Sequence, residues 1–259
     1  MSCAIGHDSA VPEDYLGVWQ RTLLRLADGT EDRSTRVFWL QTGHSHADLR
    51  VPDPAPATPL AHAALAGFAG LTRVDGDRCQ WHRFIDFHPD SPVDIGNMTF
   101  IHADEVHETA LDNSYLEIWE RLPASVGPVR EQWLQAADNP RRRGCLLQAG
   151  DYFLFVADRP EPLAGADSLT SRLAGASAGE VTALLSCEFS LGRIRGASMP
   201  WEIQLSTLPG RAGKMLTAPG PDASDNWPDS VWAGLGALVP AGGWQTSPAP
   251  VLMPEESSL

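Results

Sequence analysis

The sequence predicts an all-β fold: a fuller first barrel, a second and smaller one, and a few short helices between strands. Three observations point there. Apolar and polar residues alternate with period two along most of the first half. Turn signals such as Asp28-Gly29 and Asp75-Gly76-Asp77 separate the alternating runs. After a connection rich in Pro and Arg, the strand pattern starts again.

Composition supports a packed protein. Of 259 residues, 43% are hydrophobic and 20% charged, which excludes a disordered chain. Nineteen basic residues face thirty-three acidic ones, a formal charge of −14. Such a surface repels nucleic acid and anionic membranes, so neither is an expected partner. Residues 1–14 carry no basic segment followed by an apolar run, and no stretch has the ~20 apolar residues that span a bilayer. Cys3, Cys79, Cys145 and Cys187 are widely spaced, which suits reduced thiols in the cytoplasm better than a disulfide framework or a zinc site.

The elements follow in order. Tyr15 to Leu26 reads as a strand before the Asp28-Gly29 turn, and Thr35–Thr42 and Ser45–Val51 form the next pair around Gly43. Pro52 to Pro59 holds four prolines and is an irregular loop. Thr58 caps a short helix from Pro59 to Ala66. Strands resume at Gly70–Val74, Arg78–His88, Asn97–His102, Val106–Ala110 and Tyr115–Leu122. About eight strands within ~110 residues is the pattern of a sandwich or barrel. Pro123 to Gly144 reads as a connection, with a short helix at Val129–Ala137. Then come a hairpin at Cys145–Ala157, a helix at Ser168–Ala174, and strands at Val181–Ile194 and Trp201–Leu208. The expected organisation is a tail at 1–13, a first barrel at 14–122, a connection at 123–144, a second barrel at 145–247 and a tail at 248–259.

The sequence W-x-R occurs at Trp19-Gln20-Arg21, Trp81-His82-Arg83 and Trp119-Glu120-Arg121. On a strand each Trp shares a face with its Arg, so three cation–π pairs would line one barrel end. They would serve either to close that end or to bind an anion. Gly17-Val18-Trp19 on the first strand, with Arg121 on a late one, resembles the lipocalin (calycin) signature, in which the Arg packs across the Trp. That likeness assigns Gly17, Trp19 and Arg121 a structural role.

A second likeness covers more of the chain. Trp81 to Pro89, Asp94-Ile95-Gly96, Glu108-Thr109 and Tyr115 to Trp119 resemble a tandem-barrel family first described in a fungal interactor of a casein-type kinase (Hri-type), which has bacterial relatives. Glu188 to Gly192, Trp201 and Ser206 to Pro209 extend it into the second half. Ala110 departs from the Gly of the fungal pattern. The resemblance implies two lipocalin-like barrels in tandem, with no assigned catalytic residues.

Candidate chemistry concentrates on a few strands. Gln80, His82, Phe84, Asp86 and His88 share one face, and an Asp between two His is how a general base is tuned near neutral pH. Either face of that strand is compatible with the lumen. Asp86, His82 and Tyr115 are therefore the candidate catalytic groups. Trp39, Gln41, Asp48, Arg50, Phe84, His88, Glu117 and Trp119 are the candidate substrate contacts, with Phe87 an alternative wall to Phe84. His44-x-His46, and His102 with His107, lack a third ligand, so no metal is expected, and no cofactor motif is present. Two function classes follow: a cofactor-independent isomerase, cyclase or lyase acting on a small molecule by acid/base chemistry, and a non-catalytic carrier, sensor or interaction module. The expected partner is a small molecule, and a homodimer is left open.

Overall fold

The computed structural model describes residues 10–58, 60–89, 94–161, 163, 168–216, 227 and 229–252. Its first half is built from β1 (Gly17–Leu26), the two-residue β2 (Glu31–Asp32), β3 (Arg36–Gln41), β4 (Ser45–Val51), β5 (Ala66–Asp75), β6 (Arg78–Asp86), β7 (Asp94–His102), β8 (Glu105–Ala110) and β9 (Tyr115–Arg121). These strands are antiparallel and each pairs with its chain neighbour, β2 hanging on the edge of β1. Pairing of β1 with β9 closes the sheet. This is an eight-stranded up-and-down barrel, the lipocalin arrangement. Closure removes the free edges that such a sheet would otherwise expose.

The second half is a six-stranded antiparallel sheet. It comprises β10 (Val129–Ala136), β11 (Arg143–Ala149), β12 (Tyr152–Ala157), β13 (Glu188–Arg193), β14 (Glu202–Ser206) and β15 (Trp244–Ser247), in the order 14-13-12-11-10-15. Where a second barrel is expected, β14 and β15 share no pairing among the described residues. The helices are α1 (Leu169–Leu173) and α2 (Ala178–Leu184), with 3-10 turns at Glu13–Tyr15, Leu60–Ala64, Pro123–Ser125 and Asp229–Gly234.

Two local expectations are corrected. Val129–Ala136 is not helical; it lies between β11 and β15 and bonds to both. Its charged and amide residues favour a helix in isolation, but pairing on both sides decides. The run from Val181 to Ile194 is not one strand either, because α2 occupies its start. Ser177 and Glu180 form a reciprocal capping box that begins this helix.

One face of the second sheet packs on the outer wall of the barrel. Val18, Leu40, Leu49, Ile85 and Phe87 share a core with Leu147, Leu154, Val156, Phe189 and Leu191. Polar ties cross the same seam. The Trp133 indole donates to Ser45 Oγ at 3.0 Å, and Glu131 accepts from Thr42 and from the Ser45 amide. Arg159, 2% exposed, donates to the carbonyls of Leu184, Asp86 and Phe87. The opposite face of the sheet is covered by the chain's own Trp201, Leu216, Trp232, Leu235 and Trp244. No helix among the described residues is long and apolar enough to cross a membrane.

Candidate functional site

Alternation along the strands sends a distinct set of side chains into the barrel. Trp19 and Arg21 come from β1, Trp39 and Gln41 from β3, and His46, Asp48 and Arg50 from β4. Phe68 and Thr72 come from β5, Trp81 and Arg83 from β6, and Asp94 and Met98 from β7. Glu108 on β8 faces Glu117 on β9, which also carries Trp119 and Arg121 inward.

One end of the lumen is sealed by aromatic rings. Trp19 stacks on Trp39 at 6.1 Å, and Tyr15 and Phe100 meet them edge-on. The Arg121 guanidinium lies 4.7 Å from the Trp19 ring and donates to the carbonyls of Leu16 and Ala103. Gly17 has φ +135°, and a Cβ there would come within 3.1 Å of the Arg121 side chain. Glycine is therefore required beneath this Trp–Arg lid. The three W-x-R repeats do not act alike. Arg21 turns instead to Glu117 and Asp32, and Arg83 lies 3.8 Å over Phe68 on the neighbouring strand.

The other end is charged. Arg50 binds Asp48 at 2.7 Å and reaches Asp94 at 3.8 Å; Arg83 binds Asp94 at 2.8 Å and Asp86 at 3.2 Å. Among the described residues β6 pairs with β7 from Arg78 to Trp81, and these ion pairs lie just beyond that stretch. The side chains of Arg50, Arg83 and Asp94 are 30%, 16% and 22% exposed, so the bridge sits at the surface. Beneath it, Trp39, Phe68, Trp81 and Trp119 join Asp48, Arg50, Asp94 and Glu108 around a cavity of about 10 Å³, room for one water. A larger depression of about 310 Å³ beside α1 and α2 is lined mainly by Ala and Leu with Glu161, Arg172 and Glu180, and lacks buried converging polar groups.

Glu108 is the unusual residue. It is buried, and the Tyr115 hydroxyl and the Trp119 indole donate to its two oxygens at 2.8 and 3.2 Å. No arginine pairs with it among the described residues. Burial, then the charges of Glu117 and Asp94, push its carboxyl well above the usual range. Glu117 is also raised by burial, but Arg50 and Arg21 oppose the shift. Gly96 makes room for this carboxyl, since a Cβ there would approach Glu108 Cγ to 2.6 Å. Asp48 and Asp86 are likewise raised by burial, against the pull of Arg50 on the first and of the His88 amide and Arg83 on the second.

A buried relay fixes the protonation of His46. Gln41 donates its amide hydrogens to the carbonyls of Thr42 and Ser45, so Oε1 faces the Trp39 indole and the Thr72 hydroxyl. The hydroxyl donates to that oxygen at 2.8 Å and must accept from His46 Nδ1, 3.0 Å away. Nδ1 thus carries the proton. His46 Nε2 keeps a bare lone pair, buried and without a hydrogen-bond partner among the described residues. Burial, with Arg83 nearby, holds this imidazole neutral.

The structure brings together Trp39, Asp48, Arg50, Tyr115, Glu117 and Trp119, with Gln41 beside them. It does not assemble the Asp86–His82 pair. Opposite Ala69 and Gly70, β6 carries an extra residue, and this bulge turns Asp86 onto the face of Arg83 while His82 stays opposite Leu71 on the outer face. Phe84 packs outside, 6.4 Å from Trp133, and Phe87 lies in the core shared with the second sheet. His88 bonds the Leu65 carbonyl, and its amide donates to Asp86. The reading from residues alone missed Phe68, Asp94 and Glu108 and knew Arg83 only as a W-x-R arginine, although Asp94 and Glu108 stand in the phrase that carries the tandem-barrel likeness. No cluster of three or more His, Cys, Asp or Glu suited to a metal occurs among the described residues.

The chain matches no protein-family model and no curated protein. Among solved structures, it is similar to an uncharacterized protein from Saccharomyces cerevisiae over 91% of this chain and 99% of that one, at TM-score 0.58 and 12% identity. A lipocalin-like protein from Bacteroides uniformis (15% identity, TM-score 0.33) and an uncharacterized protein from Bacteroides eggerthii (10%, 0.33) each cover 42% of this chain and 99% of their own. At these identities the likeness concerns the fold alone.

Proposed function

We propose that the first barrel binds a small molecule at its charged end and that the chain serves as a carrier or sensor. The observation that carries this reading is the buried Glu108, set among Trp39, Trp81 and Trp119 under a bridge of partly exposed ion pairs. Aromatic walls with a few converging polar groups are the usual make-up of a ligand pocket. The partly exposed Arg50–Asp94–Arg83 bridge is the gate in this reading. Entry of a ligand would require those guanidinium groups to swing outward and so enlarge the cavity of about 10 Å³ beneath them. Buried, well-separated Cys79, Cys145 and Cys187 suit a cytoplasmic setting.

A second reading rests on Glu108 and Glu117. Two facing carboxyls, one without a cationic partner and the other held by arginine, form an acid and a base of the kind isomerases and lyases use. This pair replaces Asp86 and His82 as the candidate catalytic groups. Incubation with a metabolite extract, followed by mass spectrometry, separates the two readings. Binding predicts retention of one small molecule, up to one equivalent and released on denaturation, with loss in Trp119→Phe. Catalysis predicts conversion far beyond the protein concentration. Retention of nothing, or equal retention by Trp119→Phe, overturns the binding reading.

A further inference from the structure

We infer that the ligand of the first barrel is a small organic ammonium ion, held by Asp94 and Asp48 with its carbon body against Trp39, Trp81 and Trp119. The inference rests on the reading of the lumen as a binding site and names its ligand class. Charge balance is the first argument. Arg21, Arg50 and Arg83 are matched by Asp32, Glu117, Asp48, Asp94 and Asp86, three cations against five carboxylates. An anion entering at Asp94 meets Asp48 and Asp86 close by, whereas a cation offsets this excess of carboxylates over arginines.

Ring faces are the second argument: Trp39, Trp81 and Trp119 line the cavity, and indoles attract cations and not anions. Size follows from the gate. A ligand that takes the place of one guanidinium against Asp94 has only the cavity of about 10 Å³ and the vacated volume, which suits a few heavy atoms.

The probes are methylammonium to butylammonium chloride, the alcohols of the same chain length and the matching carboxylates, all at one ionic strength. The indole N–H resonances of Trp39 and Trp119 report on the lumen directly. The expected result is a saturable shift with the ammonium series, at least ~10-fold tighter than with the alcohols, and weakened about 10-fold in Asp94→Asn. Asp94 is partly exposed, so that variant is expected to fold, and its unperturbed indole resonances check this. If alcohols or carboxylates bind and ammonium ions do not, the ligand class is wrong while the lumen remains a binding site. If no series moves the resonances, the inference is wrong, and the extract experiment decides separately whether the lumen binds at all. If Asp94→Asn binds ammonium as tightly as the parent, the assigned anchor is wrong.

Discussion

Two buried glutamates separate the halves of this molecule. Glu188, on β13, is 1% exposed and fully occupied: Arg211 and Ser190 donate to one oxygen and the Ala237 amide to the other. Around it Trp201, Trp232 and Trp244 fill the sheet face with the chain's own C-terminal segment. Glu108, 4% exposed, has a hydroxyl and an indole as donors and no cationic partner among the described residues, at the edge of a small cavity. The same side chain at nearly the same depth is a rivet in one half and stands without an arginine partner in the other. A buried acid marks a site where its neighbours leave its charge unanswered.

Four substitutions test the contrast between the two glutamates and their halves. Trp244→Ala removes a ring that fills the second sheet and bonds Leu235; it should cost about 3–5 kcal/mol in urea unfolding while leaving the lumen indole resonances in place. Glu188→Gln strips Arg211 of its partner and should cost about 3 kcal/mol by the same measurement. A neutral result there would mean that the rivet contributes nothing. Arg121→Met removes the cation over Trp19 and two carbonyl contacts, for an expected loss of about 1–2 kcal/mol.

Glu108→Gln should have the smallest effect, and its sign depends on pH. The folded carboxyl sits above its unfolded value, because of burial and then the charges of Glu117 and Asp94, while the Tyr115 hydrogen bond and Arg50 oppose. The folded state therefore binds the extra proton. Its stabilisation is complete below the unfolded value of about 4.5 and is lost as pH rises toward the folded one. The amide does not titrate. Parent and variant should thus be close at pH 4.5, with the variant gaining relative to the parent as pH increases. Parallel pH profiles for the two proteins would show that Glu108 is ionised and answered after all.

Much of the barrel was legible because its strands alternate. Ser45–Val51 reads directly as β4, and the same alternation places Trp39, Asp48, Arg50, Glu117 and Trp119 on one interior. The bulge in β6 was not legible, since an extra residue leaves no trace in a period-two pattern, and it moved Asp86 away from His82. Val129–Ala136 carries polar residues that suit a helix, and its strand conformation comes from partners more than a hundred residues away in one case. Glu108 lies on the strand next to that of Asp94 and opposite Met98, fourteen residues on in the chain, so no local spacing announces that they share a cavity.

The apolar seam between barrel and sheet has a consequence for how this chain can be handled and how it can change. Val18, Leu40, Leu49, Ile85 and Phe87 belong to the first half, yet water is kept from them by side chains of the second. Expressed alone, residues 10–122 would present that flank as an oily stripe and self-associate. The two halves should melt in a single transition, and duplication, swapping or trimming of either one is open only to variants that re-cover the stripe.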